Sequence, residues 1–476
     1  MSTASGQTLW LGLHCPALPL TAVWGLLPES GPVAVHDAGG RQARIVQASR
    51  RATALGVHPG QTLTDALTLT PLLHSRPRSR SMEAQALETL ALLAYDYSHQ
   101  VVLADDCTVL IEIAGSRRLH GDAGTLTERL SQTAREHGFT VRTGSAPVQA
   151  AARILARTGQ HCSDARSLRR SLEQLPPTML DLPESDLQAL DGCGLNTLGE
   201  LIHLPAADRM RRFGPRFNDE LAGLFGHHPV VLPTWQPPEH YRLDLELPAT
   251  TADTAALLFV FRRAVDHLGR WLQVRDQALV QMHARLGCEE GSGTARLDIG
   301  LSRPGQAHDR LLELIGLKLD ALNLPAPVNR MELTATTTSA YRPPQADLFS
   351  GHNRAEAWPA LLDRLHARMG PGGVAGLVPS ADHRPERSWA WAPPGTGATD
   401  IESRPRPLWL LPEPRPCRRE SLQLEQGPER IESGWWDDRD CRRDYWIARD
   451  RHGRRLWVFH EHHPRRGWFL HGLMDM

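Results

Sequence analysis

"VVLADDCTVLIEIAG", residues 101–115, is two apolar runs around an acidic turn. Val101-Val102-Leu103 and Cys107–Ile113 are rich in β-branched and aliphatic side chains, which suit a pleated, half-buried backbone, and Ala114-Gly115 closes the second run. The stretch predicts two β-strands joined at Asp105-Asp106. Both acids precede the second strand, and Cys107-Thr108 stand between them and its apolar part.

Strand and helix signals alternate on both sides. "LWLGLH" (9–14), "PVAVH" (32–36), "ARIVQ" (43–47) and "FTVRTG" (139–144) read as strands; residues 81–97, 121–138 and 146–159 have apolar residues at helical spacing. Residues 1–160 are therefore an α+β or α/β domain. Residues 161–235 are short, helical and punctuated by Pro and Gly. Residues 236–340 read strand, helix, strand, strand, helix, strand, the ferredoxin-like βαββαβ order. A linker with one helix is expected over 341–407, with 370–407 as loop or partly disordered chain. The remainder, 408–476, is a small aromatic-rich β segment; with Trp389 and Trp391 just before it, it holds eight of the thirteen tryptophans.

The whole is α+β and multidomain, as 476 residues require. Net charge is −1, so no global basic field argues for nucleic acid. Lys318 is the only lysine among 53 basic residues, which a coding bias towards Arg explains. The seven cysteines form no CxxC pair, which argues against a zinc ribbon or disulfide scaffold and fits a reducing cytosol. Neither a charged n-region nor a membrane-length apolar run is present, so a soluble, cytoplasmic protein without membrane contact is expected.

"LQALDGCGLNTLGELIHLP" (187–205) resembles a helix-hairpin-helix. Gly192 and Gly194 would let the hairpin approach a phosphate, and the helix N-terminus near Asn196-Thr197 would offer free N–H groups to it. An ordinary glycine-capped αα-turn is the plainer alternative. The basic run "RMRRFGPR" (209–216), with Arg211 and Arg212, favours DNA backbone contact.

Together these domains resemble a Y-family translesion DNA polymerase: palm and fingers, helix-hairpin-helix thumb, then little finger. "ATALGVHPGQTLTDALTLTPLL" (52–73), "DYSHQVVLADDCTVLIEIAG" (96–115) and "VRTGSAPVQAAARILAR" (141–157) are similar to that family's fingers motif, palm strand pair and following helix. The resemblance implies two magnesium ions held by carboxylates, one from the first strand and a pair from the turn before the second. Here residues 1–28 contain no Asp or Glu. His14, Cys107 and Thr108 occupy the expected acid positions, Thr53 that of a triphosphate-binding arginine, and Gln149 that of a later lysine. These form a degenerate active site, with no catalytic residue, metal or cofactor expected. The alternative is an active, metal-dependent lesion-bypass polymerase using Asp105, Asp106 and Glu112. Strand alternation makes the substitution difficult, because a slip of one residue turns a side chain to the other face.

"LWLGLHCPALPL" near the start and the stretch from Ser433 to the last residue resemble a catalytically inactive Y-family-like branch that serves a bacterial mutasome. That likeness implies SOS mutagenesis and DNA repair by translesion synthesis, with DNA, the sliding clamp, a RecA-like protein and an error-prone polymerase of the replicative C family as partners. "QADLF" (345–349) is similar to a clamp-binding peptide, in which Gln345 would bond at a groove edge while Leu348 and Phe349 fill an apolar pocket; they could instead dock on their own domain. In the tail, Trp435, Trp436, Tyr445, Trp446, Trp457 and Trp468 suit both a small core and a partner surface, and mixed use is expected. "HEHHP" (460–464) lacks the HExxH spacing of a metal site. A DNA-binding repair protein without clamp contact is a third reading.

Overall fold

Strand β1 (Trp10–His14) lies at the heart of an antiparallel sheet ordered β5-β6-β1-β7. In the computed structural model it is followed by α1 (Leu18–Trp24), β2 (Val33–His36), β3 (Ile45–Ala48), α2 (Arg50–Ala54), α3 (Leu63–Leu69), β4 (His74–Pro77) and α4 (Arg80–Tyr95). Then come β5 (Val101–Asp105), β6 (Thr108–Glu112), α5 (Arg117–His120), α6 (Ala123–Glu136), β7 (Arg142–Ala146) and α7 (Gln149–Thr158). The structure describes residues 8–25, 31–180, 182–227, 231–288, 293–343, 354–370, 372–397, 405–437, 439–464 and 466–474. Two units divide the chain, Met1–Ala360 and Leu361–Met476.

Alternation along β1 and β6 explains their place. Leu11, Leu13, Val109 and Ile111 bury against Leu87, Leu90 and Leu93 of α4 and Leu126 and Leu130 of α6, while Trp10 and Leu110 turn to α7. The second face needs a very close helix: a Cβ on Gly144 would lie 2.3 Å from the Leu155 backbone, and one on Gly12 2.7 Å from Ala156 Cβ. The strand read over 139–144 begins later, at Arg142, because Gly138 (φ +87°) ends α6 and sends Phe139 into the core. Three further strands form a small sheet, β3-β2-β4. β4, "HSRP", has no apolar alternation to announce it, and its pairing with β2 defines it.

Helices α8 (Ala165–Glu173), α9 (Glu184–Gly192), α10 (Leu198–His203) and α11 (Ala206–Leu224) follow. Leu168, Leu172, Leu190, Leu198, Leu201 and Leu221 join the α7 side of the core. α11 is kinked at Gly214-Pro215, where Gly214 takes φ +83°.

β8 (Arg242–Thr251), α12 (Thr254–Val274), β9 (Gln277–Cys288), β10 (Thr294–Gly305), α13 (His308–Asp320) and β11 (Val328–Ala340) make an antiparallel sheet ordered β10-β9-β11-β8, with α12 and α13 packed on each other and on the sheet. Met282, Ala284, Leu286, Leu297, Ile299, Met331 and Leu333 are buried, and the alternate residues are more exposed. Asp253 caps α12 by accepting from the N–H groups of Ala255 and Ala256.

α14 (Arg354–Met369) crosses the division between units. Beyond it, the loop expectation for 370–407 is corrected, because β12 (Gly376–Pro379) and β13 (Trp389–Ala392) form a hairpin there. Arg384, 3% exposed, fixes its connection by donating to the carboxylates of Asp382 and Asp437. One buried arginine leaves no periodic trace in sequence. Strands β14 (Trp409–Pro416), β15 (Leu422–Ser433), β16 (Cys441–Asp450), β17 (Arg455–His463) and β18 (Gly467–Leu473) form a sheet ordered β14-β18-β17-β16-β15. No helix among the described residues is long and apolar enough to cross a membrane.

Candidate functional site

The end of β1 brings His14 opposite Thr108 at the start of β6. His14 Nδ1 and Thr108 Oγ1 are 3.0 Å apart, and Cys107 Sγ is 3.7 Å from the same ring nitrogen. The main chain is tied here too, since Cys15 N–H donates to the Cys107 carbonyl at 2.8 Å. Three of the residues read as replacing metal carboxylates are therefore assembled in one place. Thr108 is fully buried.

Asp105 is the acid nearest this cluster, and its charge is already engaged. Cys107 N–H donates to Oδ1 at 3.0 Å, the Cys107 thiol lies 3.4 Å from it, and Arg157 donates to Oδ2 at 3.0 Å. Arg153 adds a second guanidinium at 3.9 Å. Burial opposes the Asp105 charge, but the bonds from Cys107, Thr108 and Arg157 outweigh it and hold the carboxyl below its usual range. Burial, then the neighbouring Asp105, push the Cys107 thiol up to about 11, so it is not a thiolate nucleophile at neutral pH. Burial lowers the His14 pKa. The two arginines are spaced i,i+4 in "ARILAR", so they share a helix face; that was the available sequence signal for a partner to the acidic turn.

The other two acids of the polymerase alternative do not converge on Asp105. Asp106 is exposed and pairs with Arg80 at 3.3 Å. Glu112 is buried at the opposite end of β6, where it accepts from the backbone N–H groups of Leu9, Ala114 and Gly115. Among the described residues no cluster of three or more His, Cys, Asp or Glu could hold a metal ion. A histidine nitrogen, a protonated thiol, a threonine hydroxyl and an arginine-paired carboxylate do not fit a magnesium pair, which requires several oxygen ligands, chiefly carboxylates. Thr53 is exposed on α2. Gln149 is buried and accepts from Leu232 N–H at 2.9 Å, a structural bond to the chain leading into β8.

The hairpin between α9 and α10 is open around Gly192 and Gly194, where an added Cβ would meet nothing within 4 Å, and Gly194 has φ +73°. Its expected free N–H groups are a correction. The Glu200 carboxylate accepts from Asn196 N–H at 2.7 Å and Thr197 N–H at 3.0 Å, and Thr197 completes a capping box. A carboxylate of the chain itself fills the place read as a phosphate seat. In the neighbouring basic run Arg209 is structural, donating to the carbonyls of Leu201, Ile202 and Leu204. Arg211 and Arg212 are exposed, with Arg211 3.2 Å from Asp208.

The tail aromatics separate by position. Tyr445 and Trp457 are buried and stack at 4.1 Å between centroids. Trp446 and Trp468 pair at 4.8 Å against a second cluster with Leu422, Ala448, Leu456 and Val458. Trp435 and Trp436 stay exposed, 78% and 59%, and meet edge to face. Trp389 and Trp391, also exposed, add a second edge-to-face pair. Gln345, Leu348 and Phe349 lie outside the described residues.

Residues 25–157 match the impB/mucB/samB family. Over 426 residues the chain is 27% identical to Protein ImuB of Caulobacter vibrioides strain NA1000 / CB15N, covering 80% of this chain and 89% of that protein. It is 24% identical over 214 residues to DNA polymerase IV of Dehalococcoides mccartyi strain CBDB1, 43% of this chain and 54% of the other. Among solved structures it is similar to a Y-family DNA polymerase chimera, Dbh-Dpo4(243-245)-Dbh, with TM-score 0.42, 15% identity, and coverage of 69% of this chain and 98% of that one.

Proposed function

We propose, from the premise that this chain is an ImuB-like, Y-family polymerase-like protein of DNA damage tolerance, that it is a non-catalytic scaffold for error-prone translesion synthesis. The observation that carries the reading is the strand-end cluster. His14, Cys107 and Thr108 stand where metal-binding carboxylates are expected, and Asp105 beside them is engaged by Arg157. Phosphoryl transfer on two metals has no ligand set there.

A scaffold acts by raising the local concentration of its partners. In this reading Gln345, Leu348 and Phe349 bind the sliding clamp, and the exposed tryptophans of the C-terminal unit capture the RecA-like ImuA or a C-family error-prone polymerase. DNA is gripped through its backbone by exposed side chains, among them Arg211 and Arg212, with Gly192 and Gly194 allowing close approach. Such binding is sequence-independent and weakens steeply with salt. The assembly is the mutasome, working in the cytoplasm after an SOS response.

Clamp titration tests the recruitment step. Filling an apolar groove with Leu348 and Phe349 contributes about 1.5–3 kcal/mol for each side chain before ordering costs. Leu348→Ala with Phe349→Ala is expected to weaken clamp binding by about a hundredfold, while DNA affinity is unchanged. Equal clamp affinities for the two proteins would remove the recruitment mechanism.

A further inference from the structure

A cavity of about 480 Å³ opens within the first unit, between α1, α4 and the end of α6 on one side and β8 and α12 on the other. That size falls in the range of small-molecule sites, about 300–1,000 Å³. Its walls are largely apolar, with Trp24, Leu93, Phe139, Leu243, Phe259 and Val260. Phe259 is 57% exposed, which is unusual for a phenylalanine facing a concave wall and leaves its ring available to a ligand.

The charges on this wall are unequal in their commitments. Arg270 pairs with Asp96 and Asp244 with Arg330, while Asp266 Oδ1 lies 2.7 Å from His308 Nε2. Glu246 stands directly opposite Arg330 in the β8–β11 ladder. Glu136 accepts from the Gln132 amide at 3.0 Å. His137 bonds the Thr133 carbonyl, and burial lowers the His267 pKa to about 4, which keeps that ring neutral. Arg263 differs: its guanidinium lies against Gly25, 3.0 Å from where a Cβ would stand, and makes no hydrogen bond or ion pair among the described residues. Arg263 is itself exposed, so its donors line the chamber with no acceptor bonded to them among the described residues.

We infer that this cavity binds a small amphipathic anion, a carboxylate or phosphate monoester on an apolar body, with the anionic head on Arg263 and the body between Phe259, Val260 and the α4 wall. A guanidinium binds either head group through a forked pair of donors, and charge assistance strengthens those bonds. The inference is independent of the scaffold reading, because no residue in it belongs to the strand-end cluster, the hairpin or the tail.

Isothermal titration of the full chain separates the possibilities. Decanoate and dodecyl phosphate test the two head groups, decanol the apolar body alone, inorganic phosphate the head alone, and dodecylamine the opposite charge. Saturable one-site binding is expected for at least one of the two amphipathic anions, and for neither inorganic phosphate nor dodecylamine. Arg263→Met should weaken the anion at least tenfold and leave decanol unchanged, Arg263→Lys should retain most of the affinity, and Val260→Trp should close the chamber to all probes. Melting of each variant without ligand checks folding, and should Arg263→Met unfold, Val260→Trp and Arg263→Lys carry the comparison. No saturable binding of either amphipathic anion to the wild-type chain, equal anion affinity in Arg263→Met, or equally tight binding of dodecylamine would each overturn the assignment.

Discussion

Two regions that both look like ligand sites in sequence end differently. At the ends of β1 and β6, polar and ionisable side chains find their partners within the chain: His14 with Thr108, Cys107 with Asp105, Asp105 with Arg157. In the C-terminal unit, Trp389, Trp391, Trp435 and Trp436 are large, apolar and exposed. The first region has no unmet requirement that a metal would satisfy. The second keeps apolar surface in water, and covering that surface is the usual source of binding energy for a partner. Resemblance to a polymerase draws attention to the first region; unburied area draws it to the second.

The largest expected effect sharpens the division inside the tail. Trp457, stacked on Tyr445 in the core, should cost about 3–5 kcal/mol when changed to alanine. Trp435→Ala with Trp436→Ala should change stability by less than about 0.5 kcal/mol and abolish capture of a protein partner. Denaturant unfolding and pull-downs with the RecA-like protein and the error-prone polymerase check both halves. A large stability loss at Trp435 and Trp436, with partner capture intact, would break the comparison.

Arg157→Met is the next largest. It removes the closest counter-charge of the partly buried Asp105 and should destabilise by about 2 kcal/mol near neutral pH. Because the folded protein holds the Asp105 carboxyl below its usual range, its contribution is present above the ordinary aspartate pKa and is lost as pH falls through the folded value. The gap between wild type and variant should therefore narrow in acid. A gap that widens as pH falls would show that Asp105 is not held as a paired carboxylate.

Glu200→Ala has the smallest expected effect, a slight loss of stability from the broken capping box. It also frees the Asn196 and Thr197 N–H groups. DNA binding at low salt should then hold or tighten, since a carboxylate has left the hairpin. Weaker DNA binding in a folded variant would show that the carboxylate positions the hairpin for its contact.

The architecture was largely legible. Apolar, β-branched runs marked β5 and β6, and the strand and helix order of 236–340 was readable as well. What stayed hidden was the identity of partners distant in sequence. Arg157 reaches Asp105 across 52 residues, and Arg384 reaches Asp437 across 53, so neither the engaged acid nor the β12–β13 hairpin could be read from a local window. The Glu200 cap was different. Thr197 to Glu200 has the spacing of a capping box, and that local signal already favoured a self-capped helix over an open phosphate seat.

The central claim concerns chemistry, and primer extension measures it most directly. The purified chain is incubated with a primed template, all four deoxynucleotides, and magnesium or manganese, beside Asp105→Ala and Asp106→Ala. The arrangement of His14, Cys107, Thr108 and the arginine-paired Asp105 predicts no incorporation by any of the three proteins. Extension by the wild-type chain that disappears in the two variants would contradict the scaffold account and establish those carboxylates as metal ligands.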